Sequence, residues 1–129
     1  KVHKSPLGYD ATVAALRASI EDKQNWQVSH TFDFQRNIDE AGHGPIEQIG
    51  SVALCNPLLA ARILDDDGNK KVTAFMPLGI GVYEDSDGKV YVSELNVKMM
   101  GMMFGGTIAE VMAEGGDDVS EIIAAFTNE

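Results

Sequence analysis

The chain has 129 residues, 44% of them hydrophobic and 23% charged, the size and composition of one folded globular domain with a core of its own. Its formal net charge of −10, from 20 acidic and 10 basic side chains, repels phosphate backbones and anionic lipid, so nucleic acid is a poor partner. A single cysteine rules out an intramolecular disulfide framework, and no stretch approaches the roughly 18 apolar residues of a membrane span.

Residues 2–7 read as a short opening strand closed by Pro6 and Gly8. Asp10 then offers a capping oxygen to a helix over residues 11–24, in which Val13, Leu16 and Ile20 recur at helical spacing. Trp26, Val28, His30 and Phe32 alternate with polar residues, so a strand with one buried face is expected, His30 pointing the same way as Trp26. One or two helical turns follow over residues 34–41, ending at the turn-forming Gly42 and Gly44-Pro45. Residues 46–54 form an apolar strand suited to the middle of a sheet.

Pro57 fits the first position of a short helix, where its missing amide hydrogen costs nothing. A polar turn over residues 65–71 leads to a strand over 72–83 interrupted by Pro77. The Asp87-Gly88 step suits the positive φ of a hairpin loop, which returns the chain as a strand over 90–97. Two helices finish the chain, over 99–114 and 117–126, separated by Gly115-Gly116, with Asp117 and Asp118 placed to favour a helix N-terminus. This order implies an α+β fold: two layers, a mainly antiparallel sheet with helices on one face, in a single domain over residues 1–129 without repeat or linker.

Cys55 precedes a helix N-terminus, where the dipole favours thiolate chemistry or metal binding. Cysteine is also among the most buried residue types and serves as a small hydrophobe at strand ends. There is no C-x-x-C and no second thiol, which excludes an intrachain two-thiol centre and covalent c-type haem attachment. His30, on an apolar face, would need a hydrogen-bond partner, a ligand or a metal. His43 lies in the glycine-flanked loop AGHGP, and His3 near the start of the chain is expected to be exposed.

Met99, Met100, Met102 and Met103 surround Gly101. Thioethers suit Cu(I) or an axial haem position, and equally fill irregular apolar surface or an interface. The acidic loops lack EF-hand spacing, since Tyr83 and Ile63 occupy the first ligand positions. No phosphate-binding glycine motif and no H-E-x-x-H is present. The chain starts at Lys1 and enters structure almost at once, so a periplasmic or otherwise exported protein is expected, with the cytoplasm as the alternative.

Taken in order, the strand-Cys-Asn-Pro-helix unit, the Met-Pro pair before a strand, the VYEDSDGKVYVSELN hairpin and the MMGMMFGGTIAEVM helix resemble the domain of unknown function 302 family. The resemblance covers nearly the whole chain. It implies a β-α-β(4)-α domain, similar in topology to one repeat of the TATA-binding protein fold, that is often paired as a homodimer. It implies no DNA binding, because fold carries no function by itself and this surface is acidic. The site it points to comprises His30, Asp33 and Cys55-Asn56-Pro57, and Met76 of the Met-Pro pair joins His30, Asp33, Cys55 and Asn56 as a candidate ligand-binding residue. Members of this branch often carry a further cysteine after the Met-Pro pair, where this chain has Leu78, so the resemblance does not extend to a two-thiol function.

Three functions are consistent with these residues. The first is a small ligand-binding domain holding a soft metal such as copper, or haem, through His30, Cys55 and the methionines, with His30 and Cys55 as metal ligands. The second is a single-thiol sulfur or redox carrier using Cys55. The third is a structural or regulatory interaction domain without a ligand.

Overall fold

The computed structural model describes residues 1–127, and Asn128 and Glu129 lie outside the described residues. Five strands, β1 (Val2–Lys4), β2 (Gln27–Asp33), β3 (Ile49–Cys55), β4 (Leu78–Glu84) and β5 (Val90–Ser93), form one antiparallel sheet in the order β1-β5-β4-β3-β2. The helices are α1 (Tyr9–Asp22), α2 (Phe34–Glu40), α3 (Pro57–Leu64), α4 (Val97–Met102) and α5 (Gly106–Thr127), with a 3-10 helix over Asp67–Phe75 between α3 and β4.

Alternation along the strands explains which face the helices cover. Val52, Leu54, Ile80, Val82, Val90 and Val92 point to one side and meet Leu16 and Ile20 of α1 and Val119, Ile122 and Ile123 of α5. Thr12, Leu16 and Ile20 are all buried at four-residue spacing, which keeps them on one stripe of α1. Each large aliphatic side chain in this layer contributes about 1.5–3 kcal/mol by leaving water. A second cluster, Ile63, Val72, Val97, Ile108, Val111 and Met112, joins α3, the 3-10 helix, α4 and α5 beyond the end of the sheet. Leu59 and Leu78 pack against both clusters.

The fold departs from the residue pattern in several places, each for a local reason. α1 starts two residues early, with Gly8 as its cap residue, and Asp10 lies in the first turn without capping it. The opening strand ends at Lys4, where Ser5 turns inward to bond Thr12 at 2.6 Å. Residues 72–75 are 3-10 helical instead of extended, and the strand begins only after the cis Met76-Pro77 peptide. β5 ends at Ser93, and Val97, expected to close that strand, instead opens α4.

Gly115 and Gly116 do not break the last helix. They sit inside α5, where the absent side chains leave room for Leu59 beside Gly115 and for Val97 and Lys98 beside Gly116. Asp118 is therefore a mid-helix residue, and it accepts a hydrogen bond from Trp26 Nε1 at 2.9 Å. His3 is half-buried: its Nε2 lies 2.7 Å from Glu94 Oε2, and Ser120 Oγ donates to the other oxygen of Glu94 at 3.1 Å, tying the sheet edge to α5.

Candidate functional site

Two neighbouring positions dominate the local chemistry. β3 ends at Cys55, and Asn56 takes the extended conformation that precedes a helix, its Oδ1 accepting from the amides of Leu58 at 3.1 Å and Leu59 at 3.2 Å. Pro57 occupies the first turn, as its fixed φ and missing N–H favour. This cap aims α3 across the end of the sheet towards α5.

Between the two hydrophobic clusters an open-mouthed cavity of about 130 Å³ remains. Trp26, Leu54 and Leu78 supply the sheet end, Leu59 and Ile63 the α3 wall, and Val111, Met112 and Gly115 the α5 wall. Cys55, Asn56, Met76 and Met100 also line it, so four sulfur-bearing residues (Cys55, Met76, Met100, Met112) border one space. No Lys, Arg, His, Asp or Glu contributes to the lining. Around it, Phe75 and Phe104 meet edge to face at 5.9 Å, and Met99, Met102 and Met103 stand exposed.

His30 does not join this space. Ser29 is an extra residue in β2: Val28 pairs with Leu54, but His30 already pairs with Ala53. A bulge of this kind breaks the period-two alternation, so Trp26 is buried while His30 is exposed on the opposite sheet face, its ring 4.5 Å from Phe32. Thr31 takes the helix-facing position instead and accepts a hydrogen bond from Arg17 of α1. The expectation that His30 faces the same way as Trp26 is therefore corrected.

Asp33 is exposed and caps α2 by accepting from Arg36 N at 3.0 Å. Its charge also acts on Tyr9, whose phenol is held above its ordinary pKa of 10.0, chiefly by burial and then by Asp33 and Asp10. Of the five residues the sequence points to, Cys55, Asn56 and Met76 border the cavity, whereas His30 and Asp33 lie elsewhere. Cys55, paired with Gln27, is two residues along β3 from Ala53, the partner of His30, and such diagonal neighbours are separated by about 7–8 Å. Among the described residues no group of three His, Cys, Asp or Glu side chains is arranged to hold a metal ion. Sequence reasoning does not bring Met112, Phe75 and Gly115 to the cavity that Cys55 borders, because Gly115 reads there as a helix break.

An antiparallel sheet covered on one face by α1 and α5 defines a two-layer α+β domain whose core order is strand, helix, four strands, helix. The family model described as Domain of unknown function DUF302 matches residues 1–126, and the chain belongs to that family. The fold is similar to the crystal structure of an uncharacterized conserved protein DUF302 from Bacillus stearothermophilus, with a TM-score of 0.86 and 22% identity over 98% of this chain and 96% of that one. No curated protein matches the chain. Among the described residues no helix is long and apolar enough to cross a membrane.

Proposed function

We propose that this protein is a small-ligand-binding domain whose site is the cavity between β3, α3 and α5. The observation that carries this reading is an apolar space of about 130 Å³ opening to solvent beside a capped strand-to-helix junction. An engineered apolar cavity of about 150 Å³ takes up benzene, so a ligand or ligand moiety of roughly that size suits this one. Haem exceeds the volume, and His30 is turned away from the space. A molecule this small binds weakly, in about the millimolar range, or −4 kcal/mol.

Trp26 is the chain's one tryptophan and lines the cavity, which gives a direct assay. Titration with toluene is expected to shift Trp26 emission saturably; a linear response up to the solubility of toluene would defeat the reading. A second reading, Cu(I) binding, is favoured by Met76, Met100 and Met112 around the same space, whose thioethers are soft donors suited to that ion. Its test is competition against a chromogenic Cu(I) chelator, with Met76→Leu and Met100→Leu expected to weaken retention. Equal retention by all three proteins argues against it.

The homodimer implied by the family resemblance is a proposal of the same kind. Its support is the concentration of exposed Met99, Met102, Met103 and Phe104 around α4, since methionine makes adaptable apolar contacts. Light scattering of the eluting protein should give twice the chain mass, and Met103→Lys should shift it towards the monomer. A monomeric wild type at high micromolar concentration excludes it.

A further inference from the structure

Resting on the reading of the cavity as a ligand site, we infer that the ligand carries one neutral hydrogen-bond acceptor, received by the side-chain amide of Asn56. Asn56 is only 8% exposed and lines the cavity. The orientation of its amide follows from the helix cap. Oδ1 accepts from two backbone N–H groups of α3, and the reversed amide would set donor against donor there. Nδ2 is therefore the free end, with two N–H donors and no hydrogen-bond partner among the described residues.

A donor left in this state is informative. Among the described residues no fully buried side-chain nitrogen or oxygen lacks a partner, so Nδ2 keeps some accessible surface, on a residue that is 8% exposed and borders the cavity. An amide donor on an otherwise apolar wall discriminates strongly, because an occupant without an acceptor leaves it unpaired at the expense of its water. A few placed polar groups within a mostly apolar lining is also the usual way a small-molecule site fixes orientation.

Charge selects the kind of acceptor. With no cationic side chain in the lining, a carboxylate or phosphate would enter without a counter-charge, into a chain of net charge −10. A ketone, aldehyde, amide or ether oxygen meets the Nδ2 donor without that desolvation cost. The class is thus a compact neutral molecule, or the end of a longer one, with an apolar body the size of a six-membered ring and one acceptor oxygen.

Cyclohexanone and toluene test this as a pair of similar size, one with an acceptor and one without. Asn56→Asp and Asn56→Ser both retain a capping oxygen and remove the amide donor. In the wild type, cyclohexanone should move the Asn56 side-chain amide resonances downfield and saturate Trp26 emission. In both variants its Kd should rise about five- to tenfold, the effect of one hydrogen bond, while that of toluene, read in the uncharged Asn56→Ser, stays within about twofold. If cyclohexanone binds both variants as tightly as the wild type, or if the two probes weaken together, the assignment of Asn56 is overturned and the cavity remains a site. If neither probe binds the wild type, the reading of the cavity fails and the assignment falls with it.

Discussion

Gly115→Ala separates a continuous last helix from one broken at its glycines. Inside a helix, glycine is less favourable than alanine by about 0.5–1 kcal/mol because it loses more backbone freedom on folding. The new Cβ would meet only Leu59 Cδ1, at 3.9 Å, an ordinary contact, so no clash offsets the gain. For a domain of this size about 0.5–1 kcal/mol corresponds to a rise in Tm of about 2–5 °C. Thermal melting followed by circular dichroism, with urea unfolding as a second measure, should show higher stability at an unchanged denaturant slope. Had the helix ended at this pair, Gly115 would take a left-handed conformation and alanine would destabilise by about 1 kcal/mol. A fall in Tm therefore refutes a continuous α5.

Gly50→Ala is expected to act in the opposite sense, because its Cβ would clash with the backbone carbonyl oxygen of Phe32 and stand 2.6 Å from the hydroxyl of Tyr9; urea unfolding should show a loss of at least about 2 kcal/mol, and a loss below about 0.5 kcal/mol would contradict the β2–β3 spacing. Asn56→Ala removes the α3 cap and should lower stability by about 0.5–2 kcal/mol, more than Asn56→Asp; equal losses would mean that the Oδ1 bonds contribute nothing. Tyr9 has a raised pKa in the folded state, so its contribution is fully present below its ordinary value of 10.0 and is lost as pH rises through the folded value. Tm should fall less steeply above pH 10 in Tyr9→Phe than in the wild type, and parallel curves would refute the coupling.

Residues whose conformation is decided locally were legible. Asn56-Pro57 announces a helix start through a capping oxygen and a fixed φ, and Asp85 to Lys89 announces a hairpin, with Gly88 at φ +80°. The α+β class follows from such local signals taken in order. What the residue pattern hides is decided by tertiary contact. Ser29 looks like any polar residue of an alternating strand, yet as a bulge it turns His30 to the other face. Val72 reads as strand because it is apolar, but its burial partners are Ile63 and Val97, which only the folded chain brings near. Gly115-Gly116 reads as a break, but the pair lies inside α5 where Leu59, Val97 and Lys98 pack close to its backbone. Cys55 and Asn56 were identified as candidates, whereas Met112 and Gly115 are separated from them by half the chain and meet them only across the cavity.

That cavity opens to solvent, so the apolar side chains around its roughly 130 Å³ meet water where they could meet one another. The burial forgone there would add to the roughly 5–15 kcal/mol by which such domains are stable. A bulkier side chain at Ala60, half-buried on α3 and bordering the space, would recover part of it without touching the cap or the sheet. Ala60→Leu is therefore expected to raise stability in urea by about 1 kcal/mol and to abolish the saturable Trp26 response to toluene. A gain in stability together with lost binding is the trade expected of a space kept open for a ligand. If Ala60→Leu stabilises the fold and toluene still binds, the probe sits elsewhere. If it destabilises, the walls are already as close as their side chains allow, and the stability argument for a ligand fails.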